Sequence, residues 1–539
     1  MKPIVSEGQP GGLFQSASVI STAIMASRLT GFGREMVLSW LFGAGAVFDA
    51  YVLAFRIPNL ARELFAEGAL ASAFIPTFTR CLTTQGKEEA RTLAGISASM
   101  IFLITGAFTA LGIVFAPLFV NLFAPGFHDV PGKFELAVLL MRIMFPFLVF
   151  LALAAQAQGT LFASHRFGIA AVSPALFNIV SVLSGLALGY WFGAATGLSA
   201  VRGMAIGVVI GGAAQLGVQL PSVWRAGFGW RPKWNLRANL RNDGVRHILW
   251  LMGPAMIGNA SGQINVLVTT NFAAGLRDAA GNVMNGPVSW LAYAYRFFAL
   301  PLGIFGVAIA SAALPSISRS AAQNNFAEFR DTLSRSVSMI LLLTIPSAVG
   351  LAVFGERMIG LVYQHGRFHA SDTHETALAL TCYAVGLAGY AVLKLIAPAF
   401  YTLGDSRTPM MVSIASIVVN GLTAFTMIRF TGLGHAGLAL AASAVSTFSA
   451  VTLLILIRPR IGGINGRALA VSALKITAAA AVMGVVCRIA GAYFPSKVGG
   501  LLMGIPAGIA SFWMAATALR IAELREATRL VVSKLGLRA

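Results

Sequence analysis

Apolar runs of about twenty residues recur from end to end of this 539-residue chain. A hydrocarbon core about 30 Å thick asks for runs of that length. In lipid no water bonds the backbone, so each spanning segment must be a helix or part of a closed barrel. Barrel strands would show alternating segments of about ten residues, and none recur here. The chain reads as an all-α polytopic membrane protein. Gly, Pro and charged residues bound about fourteen spans, at 13–42, 46–80, 92–123, 134–161, 168–193, 200–224, 247–275, 286–317, 333–355, 373–402, 408–430, 435–457, 469–491 and 499–519.

Charge then orients the spans. The net charge is +20, which in a soluble chain would raise nucleic-acid binding. Here the charge follows topology. Counting loops alternately from an inside N-terminus puts 23 basic residues inside and 8 outside. That bias obeys the positive-inside rule and predicts both termini in the cytoplasm. No nucleic-acid partner is expected; membrane lipids are, through the basic inner face. The first eleven residues are polar and lack a basic, cleavable leader, so the first apolar segment is expected to be retained. The longest polar connection, RAGFGWRPKWNLRANLRNDGVR (225–246), reads as an interfacial linker, and the basic C-terminal segment as a surface helix.

ALASAFIPTFTR (69–80) and AIASAALPSISR (308–319) agree at six of twelve positions, including Pro76/Pro315 and Arg80/Arg319. Both end an even-numbered span. The chain is therefore expected to comprise an N-terminal lobe (1–224, helices 1–6), the basic linker (225–246), a C-terminal lobe (247–467, helices 7–12) and a final segment (468–539) with helices 13–14. Parallel halves of this kind suit a transporter that binds between them and rocks.

The stretch FRIPNLARELFAEGALASAFIPTFTR (55–80) is too charged for lipid. Eight basic residues fall inside spans: Arg28, Arg34, Arg56, Arg62, Arg142, Arg296, Lys394 and Lys475. Each costs at least about 2.5–3.5 kcal/mol at the bilayer centre, so each should face protein or water. Arginine is permanently charged and forks onto phosphate oxygens. Arg28, Arg34, Arg62 and Arg296 are candidate anion ligands; the alternative is a set of structural ion pairs, the reading preferred for Glu63 and Glu67. Asp49, Arg56 and Glu63 recur every seven residues and share a face of a straight helix. Periodicity alone leaves open whether the arginines converge. Three scattered cysteines, with no metal-ligand spacing and no nucleophile motif, predict neither an enzyme nor a metal or cofactor. Transport would draw on an ion, potential or substrate gradient.

SRLTGFGRE (27–35) with FGAGAVFDAYVLAFRIPNLARELFAEGALASAFIP (42–76) resembles the N-terminal signature of the MurJ/MviN family, lipid II flippases of the MOP exporter superfamily. APGF (124–127), VSWLAYAYRFFALPLGIFGVAIASAALPS (288–316), LVYQHGRF (361–368) and KLIAPAFYTLGDSRTP (394–409) extend the resemblance over the chain. It implies two pseudo-symmetric six-helix lobes around a central cavity, and two last helices bordering a groove for a polyprenyl tail. It also implies the activity: moving undecaprenyl-pyrophosphate-linked peptidoglycan precursor, lipid II, from the inner to the outer leaflet of the bacterial cytoplasmic membrane by alternating access. Arg28, Arg34, Arg62 and Arg296 match the family's cavity arginines, Ser289 a cavity serine, and Asp49 its acid in the second helix. The arginines would hold the pyrophosphate, with Asp49, Glu35 and Arg56 as gating or ion-pair residues. Glu35 stands where Asp is frequent, and Tyr295 and Ala299 replace acids around the fourth arginine. Partners implied are lipid II and cell-wall synthesis or division proteins, with the chain itself a monomer. Export of another polyprenyl-linked saccharide or of drugs is the alternative within the superfamily. A glycosyltransferase would need a sizeable extramembrane catalytic region, which these short loops lack. A non-transporting division scaffold would not need the buried cations.

Overall fold

A computed structural model describes residues 10–64, 70–191, 193, 199–230, 233–494 and 496–525. Contacts divide the chain into two compact units, Met1–Gln263 with Gly281–Asn285, and Ile264–Ala280 with Gly286–Ala539. The described residues are helical nearly throughout. The all-α polytopic expectation holds.

The first unit holds α1 (Pro10–Phe42), α2 (Ala46–Arg62), α3 (Ala71–Thr84), α4 (Lys87–Val114), α5 (Ala116–Phe123), α6 (Lys133–Met144), α7 (Phe147–Ala163), α8 (Gly168–Leu186), α9 (Ala200–Arg225), the short α10 (Leu236–Arg241) and most of α11 (Asp243–Ala274). The second holds the end of α11, then α12 (Pro287–Pro301), α13 (Ala308–Ala322), α14 (Phe326–Val362), α15 (Ala370–Val385), α16 (Leu387–Thr402), α17 (Arg407–Thr431), α18 (Gly434–Ile457), α19 (Gly466–Tyr493) and α20 (Lys497–Ala518).

Among the described residues, ten helices are long and apolar enough to cross a membrane, or eleven when α15 and α16, bent by 46°, form one span. The three other expected spans are α1, α2 with α3, and α11. All three are helical. They are also the segments that carry Arg28, Arg34, Asp49, Arg56 and Arg62, or a run of Asn, Gln and Thr from Gln263 to Asn271. Their polarity is what sets them apart.

Small residues let neighbouring helices touch backbone to backbone, as membrane helices do where no hydrophobic force drives them together. In α9, Gly203, Gly207 and Gly211 form one face against α8 and the π-helical turn Ala187–Trp191 that continues it. A methyl on Gly203 would come within 2.6 Å of the Gly189 nitrogen, and one on Gly211 within 2.8 Å of the Phe177 carbonyl. In the second unit, α14 is clipped to the last two helices by reciprocal caps. Arg357 donates to the Gly491 carbonyl near the end of α19 at 2.5 Å. Lys497, opening α20, donates to the Gly360 carbonyl near the end of α14 at 3.2 Å and to Gln364 at 2.7 Å. Cations at helix C-termini satisfy orphan carbonyls and the dipole together.

Two features recur in both units. Asn178 on α8 reaches the Ser27 carbonyl and Thr30 Oγ1 of α1, at 3.2 and 3.4 Å. Asn420 on α17 reaches the Asn265 carbonyl and Thr269 Oγ1 of α11, at 3.0 and 3.4 Å. Thr30 and Thr269 are separated by the same interval as Arg80 and Arg319. π-helical backbone also begins at Glu63 and at Leu302, again one such interval apart, shortly before each copy of the repeated segment. A wide turn of this type re-registers a helix and is favoured at functional sites.

Among its described residues the linker 225–246 carries α10 and the first turn of α11; α10 is capped by Asn235, whose side chain accepts from the Ala238 amide at 3.1 Å. Trp224 and Trp234 beside it are exposed. Glu67 and most of the C-terminal basic segment lie outside the described residues.

Candidate functional site

α1 runs unbroken through Gly31 and Gly33, so its two arginines keep ordinary helical phase and take different faces. Arg28 is exposed and meets no carboxylate among the described residues. Arg34 is 9% exposed. Its Nη2 bonds Glu35 Oε1 at 3.0 Å, and its guanidinium lies 5.3 and 5.7 Å from the ring centres of Phe55 and Phe177. Stacking of this kind stabilises a desolvated guanidinium. Its Nε is buried with no acceptor. Arg34 is therefore rigidly held, paired, and still one hydrogen bond short.

α2 begins after Gly45 and carries Asp49 in its first turn, where the helix dipole favours a carboxylate. Asp49 is fully buried. Its carboxylate meets Lys133 Nζ at 2.9 Å, both side chains 1% exposed. Arg56, one heptad on, is half-buried. Arg62 ends the helix. Its Nε donates to Asn59 Oδ1 at 2.9 Å, and Nη2 lies 3.7 Å from Glu63 Oε1. Glu63 also accepts from Asn59 at 2.8 Å and from Gln263. Two of the candidate arginines thus rest against an adjacent acid.

α12 carries the remaining candidates in the second unit. Ser289 is fully buried and Arg296 exposed. Trp290 fixes the start of this helix, its indole N–H donating to Asp372 Oδ1 at 3.0 Å while the His369 amide holds the other oxygen. Tyr293 and Phe297 stack into a cluster with Tyr363 and Phe368. Tyr295 packs on Phe298 and Tyr383.

Sequence reasoning missed Lys133, Asn285 and the Asn59–Gln263 brace. Lys133 was counted as an outside loop charge. The one local signal lies in APGFHDVPGKF: Phe127 of the APGF motif presents its ring 4.2 Å from the Lys133 ammonium.

A family model described as lipid II flippase MurJ matches residues 38–505. Lipid II flippase MurJ of Burkholderia cenocepacia is 32% identical over 452 residues, covering 83% of this chain and 84% of that one. The probable lipid II flippase MurJ of Rhizobium meliloti is 34% identical over 431 residues, covering 80% and 77%. A solved structure of lipid II flippase MurJ in an inward closed conformation superposes with a TM-score of 0.75 at 25% identity, covering 93% of this chain and 98% of that one. An inward-facing multidrug resistance MATE family transporter of the MOP superfamily shares the fold at a TM-score of 0.66 and 16% identity, covering 84% and 99%.

Proposed function

The chain belongs to the lipid II flippase MurJ family, and from that membership we propose that it moves lipid II from the inner to the outer leaflet of the bacterial cytoplasmic membrane. In this reading the lobes 1–224 and 247–467 alternate access to a cavity, both termini face the cytoplasm, and the final segment 468–539 borders the lipid tail. The observation that carries it is the set of arginines on α1, α2 and α12 in an otherwise apolar helical chain. A pyrophosphate diester needs cations where water is scarce, and forked guanidinium donors suit its oxygens.

The four arginines divide by availability. Arg28 and Arg296 are exposed and would meet the diphosphate first. Arg62 would turn from Glu63, 3.7 Å away, onto an incoming oxygen. Arg34 is stacked and paired, and would act by its field and its unsatisfied Nε. Ser289 would add a neutral donor. Glu35 and Glu63 would take their arginines back once the product leaves, so the empty protein never carries four bare charges.

The test is the appearance of lipid II at the outer leaflet after rapid depletion of the chromosomal protein. The intact chain should restore it. Arg28→Ala and Arg62→Ala, present in the membrane at normal level, should lower it by about tenfold or more, the scale of one lost charged contact. Undiminished lipid II exposure with both variants would remove the pyrophosphate role. No rescue by the intact chain would remove the activity.

A further inference from the structure

Lys133 opens α6 and is 2% exposed. Both facts work against it. A cation at a helix N-terminus meets the positive end of the dipole, and a buried ammonium loses its hydration. Three groups offset this. Asp49 Oδ2 and Asn285 Oδ1 each accept from Nζ at 2.9 Å, and the Phe127 ring lies 4.2 Å away. They come from α2, from the segment ahead of α12 and from the turn ahead of α6, all within the first unit.

Resting on the flippase reading, we propose that Lys133 is a positioning residue for transport, with two tasks. It engages the Asp49 carboxylate, which leaves the arginines' charge for the diphosphate. It also anchors residues 281–285, the segment that leads into α12 with Ser289 and Arg296.

The two bonds of Lys133 differ in strength. The bond to Asp49 is ionic on both sides and fully buried, so separating it strands two charges. The bond to Asn285 has a neutral acceptor on an exposed residue, which water can replace at little cost. A movement of α12 therefore releases Asn285 and keeps Asp49. Gly286, which follows, supports this division. Its φ of 114° is open to glycine alone, and an added methyl would sit 2.5 Å from the Trp290 ring. The joint thus lies at Gly286, between the part fastened to Lys133 and the part fastened by Trp290.

The experiment compares the intact chain with Asn285→Leu and Lys133→Met, reconstituted in liposomes with lipid II. Membrane level, lipid II affinity, translocation rate and hydrogen exchange of residues 281–286 are read for each. Asn285→Leu should bind lipid II within about threefold of the intact chain while translocation falls about tenfold or more, the split expected of a group that acts through others; Lys133→Met, which also frees Asp49 for the arginines, should lose both affinity and rate. Lipid II should speed exchange of 281–286 in the intact chain, whereas Asn285→Leu should exchange fast with or without it. Asn285→Leu leaves the buried ion pair whole, so it carries the test if Lys133→Met does not fold. Translocation at the normal rate in Asn285→Leu, or an affinity loss in that variant equal to its rate loss, overturns the proposal. So does unchanged exchange, a readout that stands even if the intact chain proves not to translocate lipid II.

Discussion

Asp405 sits in the turn between α16 and α17. Its carboxylate accepts from the Thr408 amide at 3.0 Å and pairs with Arg460; Arg460 also donates to Thr408 Oγ1 and lies over the Phe400 ring. Burial pushes the Asp405 carboxyl up, but the Thr408 hydrogen bonds, the Arg460 charge and the Arg407 amide outweigh it and hold it below the usual carboxylate range. A carboxyl with a depressed folded pKa adds stability above its unfolded value of about 3.9, and loses it as pH falls through the folded value. Arg460 is 42% exposed, so screening keeps the pair to roughly 0.5–1 kcal/mol. Asp405→Asn should lower the melting temperature of the purified protein at pH 7, with the gap closing as pH drops below about 4. An equal gap at both pH values would show that charge is not what holds this turn. The sequence marks Asp405 within GDSRTP only by resemblance, because its partner lies beyond the whole of α17 and α18. Lys133 was missed for the same reason. Ion pairs between distant segments leave no periodic trace, whereas Arg34 and Glu35 are neighbours and could be paired by eye.

At the scale of elements, hydropathy locates helices well and their interruptions poorly. The run 92–123 is two helices meeting at Phe115, 373–402 bends at Gly386, and 286–317 passes through a π-helical turn at Leu302–Val307. A side-chain profile carries no information on backbone hydrogen-bond register, so these breaks stay hidden. Glycine spacing says more. Gly500, Gly504 and Gly508 share one face of α20, placed against Arg357, the Phe354 ring and Cys487. A methyl on Gly504 would collide with the Phe354 ring, itself 4% exposed and unable to retreat. Gly504→Ala should therefore cost about 1–3 kcal/mol by overpacking, read as a lower melting temperature in detergent. Gly217 on α9 has open space around its missing Cβ. Gly217→Ala should be neutral or stabilising by up to about 1 kcal/mol, from helix propensity alone. Equal effects of the two substitutions would mean that the α14–α20 contact is looser than its geometry.

Across the whole molecule, the repeated segment told more than its length promised. Six identities in twelve could arise by chance between small-residue helices, yet each copy follows a π-helical turn, and each unit closes an Asn–Thr contact onto the corresponding helix. The two units correspond where a kink or a buried amide must be satisfied, and an unpaired polar group in such a setting costs more than an exchanged methyl. The orientation proposed above rests on a different whole-chain property, the 23 to 8 distribution of basic residues between alternate loops. Lys133 was one of the eight outside charges, and its burial in an ion pair removes it from any surface count, which sharpens the asymmetry. The bias predicts the connection after α17 outside and the connection after α18 inside. Thr431 and Asn465 are exposed in these two connections, while native Cys81 and Cys487 are buried and Cys382 is half-buried. In intact cells stripped of an outer membrane, an impermeant maleimide should label Thr431→Cys and leave Asn465→Cys at the level of the unsubstituted chain. Permeabilised cells should label both. The reverse pattern would place the basic loops outside, against the rule by which lysine and arginine near span ends hold their loops in the cytoplasm, and with them the entry side proposed for the diphosphate.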